Sequence, residues 1–498
     1  MLESWASLQM LLRSDRVSSA EVEALVQKLR DELHQAGHIF SELTVVNFDG
    51  RTPILELAFC PGVQGEFEIN GERWFSAAQI RDALGWSPGT SFNYQDLYQG
   101  LYALNKNADV TADVEICPRR SPEGGKVVDL QVKVEDRFPL HGGIELANTG
   151  TRETSDWRLR SSLHYGNVTR HEDVLSVDWR VDPKEMDVVN AVSGVYRLPL
   201  GSRTELALLG GWSESDIDGV LPGLQLSGKS QFAGIRVRRS LLSTSVGDLD
   251  SSLGWFYHRV QNESELNKTI QATDDDYELS MPVLSVGFAE REFDPLDGRG
   301  TIRVSLLANS SSFVGASDSD DFLDLSGVPF ADDDFTVGRL HVTRLQRLPL
   351  KLYDRPWTLS LRLDAQYSHE TLPSSVVKSI GGAATVRGYR ERELGGDAGV
   401  NGSVELRTPA FSWAVPVSKG RNVATNTQFL VFVDAGQVHL NDPQPGIEES
   451  QTISSAGLGV RFEIPRRVNV RVDVGFPFDR THVSEKRPRV HMGLELLF

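Results

Sequence analysis

From about residue 138 to Phe498 the chain alternates apolar and polar residues with period 2, segment after segment. In "PWTLSLRLDAQY", Trp357, Leu359, Leu361, Leu363 and Ala365 share one face, and Thr358, Ser360, Arg362, Asp364 and Gln366 take the other. "VNVRVDVGF" sets Val468, Val470, Val472, Val474 and Phe476 against Asn469, Arg471, Asp473 and Gly475. About sixteen such segments begin near 138, 156, 171, 187, 203, 225, 249, 277, 299, 335, 356, 398, 426, 452, 467 and 487. Successive side chains of a strand point to opposite faces, so each segment is a strand with one greasy and one polar side. An even number of dyad strands of roughly ten residues suits a closed transmembrane barrel, where closure removes the unpaired edges that lipid cannot satisfy. A large soluble sandwich would show the same period.

Two further features favour the barrel. Tight connections such as Pro465–Arg467 contrast with long ones expected near 214–224, 262–276, 310–334, 370–397 and 477–486, as for an outer-membrane barrel with short turns on one rim and long loops on the other. The chain also stops on "VHMGLELLF", where Val490, Met492, Leu494, Leu496 and Phe498 alternate to the last residue. A strand ordered to its end is explained if it pairs with the first to close the ring. The mean hydropathy of -0.27 and the absence of an 18-residue apolar run exclude a transmembrane helix and leave a barrel open. A net charge of -18 argues against nucleic-acid partners. The acidic runs "TDDDYE", "SDSDDFLDLS" and "ADDDF" fit no EF-hand pattern and read as solvated loops, so no metal or other cofactor is expected.

Residues 1–136 have a different texture. "SSAEVEALVQKLRDELHQAGH" is a capped helix with Val22, Leu25, Val26, Leu29 and Leu33 on one face, followed by the strands "SELTVV" and "PILELAF". From Val63 to Asp136 the order is β-α-α-β-β, a complete small α/β unit; residues 1–62 read as a partial copy lacking the opening strand. Cys60 and Cys117 are the only cysteines and could form one disulfide in an oxidising compartment. Glu3 stands where a signal peptide carries positive charge, so an export signal is expected to have been removed or to lie upstream of Met1.

Between two strand-like segments lies "ATVRGYRERELGGDAGV", Ala384–Val400, framed by Gly381 and Gly382 before it and by Gly395, Gly396 and Gly399 within it. It is too polar for a core strand and too glycine-rich for a helix. Val386, Arg387, Gly388 and Tyr389, together with Phe432, Asp434 and Gly436 of "FLVFVDAGQVHL" and the final Phe498, resemble the outer-membrane protein 85 superfamily. There a V-R-G-[FY] loop connects strands 11 and 12, and an F-x-D-x-G motif lies in strand 13. The two-partner-secretion branch, of haemolysin/adhesin secretion-activation type, has a sixteen-stranded barrel preceded by two polypeptide-transport-associated (POTRA) domains. The resemblance implies a membrane β-barrel at 138–498 with an inward-folded loop at 370–397, a POTRA-like domain at 63–136 and a partial one at 1–62. A separate plug helix and linker are not visible and are expected upstream, if present.

The resemblance further implies that Arg387 reaches Asp434. Alternation in strand 13 places Phe429, Val431, Val433 and Ala435 toward lipid and Asp434 in the lumen, where a carboxylate wants a cationic partner. Arginine offers a fork to both oxygens, Gly388 lets the backbone turn, and Tyr389 packs with a polar tip. Glu405 and Arg407, lumen-facing in strand 12, are secondary partners. Leu494, Leu496 and Phe498 would form the barrel-insertion signal. The implied function is an outer-membrane pore that secretes an unfolded exoprotein captured by periplasmic POTRA domains; its partners would be that client, outer-membrane lipid and, during biogenesis, the barrel-assembly machinery. The alternative is an assembly factor of the same superfamily. A diffusion porin needs neither the V-R-G-Y loop nor periplasmic domains. An enzyme is disfavoured, because no G-x-S-x-G or H-E-x-x-H occurs and the lumen carboxylates face arginines.

Overall fold

The computed structural model describes residues 18–48, 55–121, 125–151, 154–186, 188–201, 203–218, 224–266, 270–317, 331–418, 421–481 and 484–498. The signal-peptide reading of the first residues and most of the acidic run "SDSDDFLDLS" fall outside them. The described residues form two compact units, an α/β unit up to Pro139 and a β-barrel beginning at Leu140.

In the α/β unit, helix α1 (Ser19–Gln35) starts at a capping box in which the Ser18 hydroxyl accepts from Glu21 N–H and the Glu21 carboxylate accepts from Ser18 N–H. Val22, Val26 and Leu29 bury against Leu43, with Leu25 and Leu33 partly covered, so the apolar stripe read from the sequence is the packed face. Strands β1 (Glu42–Phe48) and β2 (Leu55–Cys60) form an antiparallel pair. Strand β3 (Val63–Asn70), helices α2 (Ala77–Ala83) and α3 (Tyr94–Asn105), and strands β4 (Val110–Arg120) and β5 (Lys126–Asp136) follow in the expected β-α-α-β-β order. The sheet order is β3-β5-β4, with β3 parallel and β4 antiparallel to the central β5. Val128, Leu130, Val132 and Val134 of β5 turn one face to Ile80, Leu84, Phe92, Leu97 and Leu104, because a central strand of period 2 offers one row to the helices. The Asp136 carboxylate accepts three successive N–H groups, Arg73 at 2.8 Å, Trp74 at 2.6 Å and Phe75 at 2.9 Å, and so fixes the approach to α2. Cys60 and Cys117 are free thiols, so the disulfide considered above is not formed.

The barrel opens with β6 (Leu140–Ala147), β7 (Arg158–Gly166), β8 (Val174–Val181), β9 (Val189–Pro199) and β10 (Thr204–Asp218). It continues through β11 (Leu224–Ser243), β12 (Gly247–Leu266), β13 (Ile270–Glu290), β14 (Gly298–Asn309), β15 (Phe335–Leu352) and β16 (Arg355–Tyr367). Two short strands, β17 (Lys378–Ile380) and β18 (Leu394–Gly396), pair only with each other. Then come β19 (Ala398–Arg407), β20 (Phe411–Ser418), β21 (Arg421–His439), β22 (Ser450–Ile464), β23 (Val468–Pro477) and β24 (Arg489–Leu497). β19 and β20 pair with successive parts of β21 and together serve as one interrupted barrel strand. The described residues thus close a ring of sixteen antiparallel strands; fourteen start within three residues of the expected position, while β13 starts seven residues earlier than 277 and β21 five earlier than 426. Closure runs through β24 and β6 over five aligned pairs, Gly493–Ala147 to Leu497–Gly143. Gly142 and Phe498 add reciprocal backbone bonds of 2.9 and 3.0 Å.

Two of the long connections read from the sequence are corrected. The described residues of 214–224 and 262–276 lie in strands, since β10 runs to Asp218, β11 starts at Leu224, and β12 and β13 run to 20 and 21 residues. About ten residues suffice to cross the hydrocarbon. The surplus continues as a paired ribbon: Glu214 aligns with Lys229, and Asn262 with Asp275. Polar side chains end the lipid-facing stripe without ending the backbone ladder, so a change in hydropathy marks where the strand leaves the membrane and leaves its end undefined.

Leu130 is fully buried at the centre of the α/β core. Leu130→Ala should destabilise that unit by about 2–5 kcal/mol. Native-state proteolysis of the full chain should then cut within 63–136 roughly tenfold faster or more, while the heat-modifiable gel mobility of the barrel stays unchanged.

Candidate functional site

Strands β16 and β19, the eleventh and twelfth of the barrel, are joined by the loop 368–397. The β17–β18 pair (Lys378–Gly396, Ser379–Gly395, Ile380–Leu394) makes it a hairpin with Val386–Tyr389 at its far end. Ile380, Val386 and Tyr389 are buried against Val438 of β21 and Ile453 of β22. On β21, Phe429, Val431 and Val433 are exposed on the outside while Leu430, Phe432 and Asp434 are buried. The hairpin therefore packs on the inner face of the barrel. Asp397 ties its base, accepting Leu372 N–H at 2.7 Å and Asn441 N–H at 2.9 Å.

Arg387 is 4% exposed and Asp434 0%. The guanidinium makes a bidentate fork, Nε to Oδ2 at 2.7 Å and Nη2 to Oδ1 at 2.8 Å, and Arg387 N–H also donates to Oδ2 at 3.1 Å. Ser403 closes the ring, accepting from Nη2 at 3.0 Å and donating to Oδ1 at 2.6 Å. Nη1 reaches Glu405 at 2.7 Å and Asp473 at 3.6 Å. Glu405 is shared with Arg407, whose Nε lies 2.8 Å away, and Asp473 holds Arg461 in a second fork of 2.9 Å bonds. Three guanidiniums thus meet three carboxylates, and the cluster carries no net charge. The Arg387 guanidinium carbon lies 3.5 Å from the Phe432 ring centroid, so the aromatic of the second motif floors the site as a cation–π partner.

The neighbouring residues of the motif have separate tasks. Gly388 sits at φ +94°, in the left-handed region that favours glycine. Its N–H donates to His491 Nε2 at 3.0 Å, which requires that imidazole nitrogen to be unprotonated. A Cβ on Gly475 would lie 2.5 Å from the Gly388 nitrogen, so hairpin tip and β23 touch backbone to backbone. The Tyr389 hydroxyl donates to the Ser454 carbonyl and accepts from Asp479 N–H, both at 3.0 Å. Val386 and Ile380 occupy the space over Gly436, where a Cβ would lie 3.1–3.2 Å from both side chains. Glu393 accepts from Ser484 Oγ at 2.8 Å and bonds the Thr481 hydroxyl.

The structure brings together Val386, Arg387, Gly388, Tyr389, Phe432, Asp434, Gly436, Glu405 and Arg407. Leu494, Leu496 and Phe498 stand apart on the outer face and end of β24, exposed, with the Phe498 ring over Gly142. Sequence reasoning did not assign Ser403, Asp473, Gly475, His491 or the Glu393 contacts to the site. Asp473 and Gly475 were legible as lumen-facing by alternation, and His491 takes the lumen side of β24 by the same rule. Their meeting with Arg387 and Gly388 depends on the depth to which the hairpin inserts, which strand periodicity does not encode. Among the described residues no group of side chains is arranged to hold a metal, and no helix is long and apolar enough to cross a membrane.

A closed ring of sixteen strands, apolar outside and charged within, with a long hairpin pinned in its lumen, defines an outer-membrane β-barrel. Residues 125–462, more than half of the chain, match the model of the haemolysin secretion/activation protein ShlB/FhaC/HecB family, and the chain belongs to that family. It is 23% identical over 476 residues to the outer membrane transporter CdiB of Dickeya dadantii, covering 92% of this chain and 76% of that protein. It is also 23% identical over 389 residues to the hemolysin transporter protein ShlB of Serratia marcescens, covering 77% of this chain and 65% of that one. The solved structure of CdiB from Escherichia coli superposes with a TM-score of 0.77 at 17% identity, over 100% of this chain and 88% of that one, a likeness of fold.

Removing Arg387 would leave Asp434 buried and unpaired, at a cost of about 3–5 kcal/mol. Arg387→Ala should therefore lower the detergent-solubilised barrel's thermal midpoint, and Arg387→Lys should recover only part, because an ammonium lacks the fork. Calorimetry of the two variants beside the parent protein checks the order.

Proposed function

We propose that this protein is an outer-membrane translocation pore that secretes an unfolded exoprotein by two-partner secretion. The observation that carries the reading is the hairpin held inside the barrel through Arg387 and Asp434, in a chain of the haemolysin secretion/activation family. The hairpin occupies lumen that a translocating chain would need, and it is held there by non-covalent contacts, the buried ion pair and a small apolar cluster. In this reading the pair is a latch: it holds the hairpin in a transport-competent seat, with Val386, Gly388, Tyr389, Phe432 and Gly436 fitting the tip to the wall. Leu494, Leu496 and Phe498 act as the insertion signal read by the barrel-assembly machinery, and the lipid-facing belt meets the outer-membrane bilayer.

The α/β unit takes the part of periplasmic POTRA domains, the partial one at 1–62 and the complete one at 63–136, and captures the client by strand addition. β4 is an edge strand. Asn105 occupies the outward N–H and C=O of Ala112 at 2.7 and 2.9 Å. Ala112–Val134 is thus a pair whose own backbone groups point outward, and antiparallel alternation gives Val114 and Ile116 the same orientation. Pro118 lacks the donor. Val114 and Ile116, with Arg120 at the strand end, remain for an extended chain, beside an α3 face on which Tyr94, Tyr98 and Tyr102 are 43%, 54% and 43% exposed.

Depletion tests the function: loss of one secreted protein from the medium with other outer-membrane proteins at normal levels is the expected outcome, whereas general loss of barrels from the membrane would favour an assembly factor. Exchanging the charges, Arg387→Asp with Asp434→Arg, should restore part of the secretion lost in either single variant. Normal secretion by folded Arg387→Ala would remove the latch. Val114→Pro deletes one outward donor without touching the β4–β5 ladder, and should reduce client co-purification several-fold.

A further inference from the structure

Away from the neutral cluster under the hairpin, the lumen wall built by β9 to β15 is strongly cationic. One lateral row runs by register from Arg238 to Ser252, Ser285, Ser305 and Arg339. Ser285 and Ser305 hydroxyls are 2.8 Å apart, and the Arg339 Nε donates to the Gln366 amide oxygen at 2.9 Å. These five residues line one cavity of about 630 Å³, with Arg197, Arg236 and Arg303 beside them and Ser375 and Val376 of the inward hairpin on its border. Facing the five guanidiniums are Glu205, also in the lining, and Asp250, which pairs with both Arg238 and Arg303 at 3.2 Å. Among the described residues Arg197, Arg236 and Arg339 have no carboxylate within ion-pair distance. The chain as a whole carries -18, so this excess of positive charge is local to the wall.

Arginine forks and hydroxyl donors together suit carboxylate and other oxoanions. A confined lumen strengthens the field of such a surface. The spacing narrows the ligand further. Arg238 and Arg339 are separated by four strand-to-strand steps, about 19 Å along the sheet. A single inorganic anion reaches one of them, whereas about six residues of extended chain span the row. We propose that this wall is a carboxylate-binding surface that takes acidic stretches of an extended polypeptide in the lumen. The occupant rests on the translocation reading, while the chemistry of the surface stands on the charges and register alone.

The test is fluorescence anisotropy of labelled hexaglutamate with the detergent-solubilised full chain. Binding should weaken as NaCl rises from about 0.05 to about 0.5 M. It should fall about tenfold or more in the Arg238→Gln/Arg339→Gln variant, and stay unchanged in Arg347→Gln, which alters a rim arginine paired with Asp297. Hexalysine should bind far more weakly. Heat-modifiable mobility establishes that the double variant is folded; if it is not, Ser305→Asp, which sets a negative charge in the row, should produce the same loss. Inorganic phosphate separates the sources: displacement only at about a hundredfold excess assigns the surface to polypeptide carboxylates, and displacement at equal concentration assigns it to free oxoanions. Absence of hexaglutamate binding, equal binding of hexalysine, or an unchanged affinity in the folded double variant would overturn the proposal. None of these readings depends on secretion, so the depletion experiment can fail independently.

Discussion

A single buried guanidinium organises the inside of this barrel. Asp434 could not sit ionised on the lumen wall without Arg387, because a desolvated charge left alone costs several kcal/mol. Asp434 in turn has Ser403 and the Arg387 backbone to fill its remaining hydrogen-bonding capacity. Glu405 and Asp473 bring Arg407 and Arg461 into the same cluster, so positive and negative charges balance within a few ångströms. This balance allows a polar hairpin to be buried. Its geometry also makes the hairpin's depth discrete, since a bidentate fork tolerates little sliding.

The rest of the hairpin follows from that anchor. With Arg387 fixed, Gly388 must pass close to β23, and glycine is needed on both sides of the contact. Tyr389 then lies over the start of β22, where its hydroxyl completes backbone hydrogen bonds near Ser454 and Asp479. The anchor lies on the β19–β24 side of the ring. The opposite wall carries five arginines, Arg197, Arg236, Arg238, Arg303 and Arg339, against two carboxylates, Glu205 and Asp250, so the charge balance of the cluster around Arg387 is not repeated there.

Much of this was legible in the sequence because a barrel writes its geometry as alternation. The outward set of Phe429, Val431 and Val433 and the inward Asp434 follow from period 2. Ser18 and Ser76 mark helix starts by capping boxes that require only local residues. Strand ends were harder to read: β12 and β13 outrun their apolar stripe, since the ladder is made by backbone and persists through polar residues. The partners of the hairpin beyond Asp434 were harder still. His491 lies more than 100 residues from Gly388 and Gly475 nearly 90, and only the three-dimensional seat of the hairpin joins them. The cationic wall was hidden for a related reason: its arginines are scattered from Arg197 to Arg339 and become one surface only through register.

The proposed latch is the Arg387–Asp434 ion pair, which keeps the hairpin inside the barrel. Hydrogen–deuterium exchange of the hairpin peptides 376–397, in the parent protein and in Asp434→Asn, tests it most directly. Slow exchange in the parent, and exchange at least about tenfold faster in the variant with the barrel strands unaffected, is the result that follows from the buried fork. Fast exchange in the parent, or a hairpin equally protected without the Asp434 charge, would contradict it.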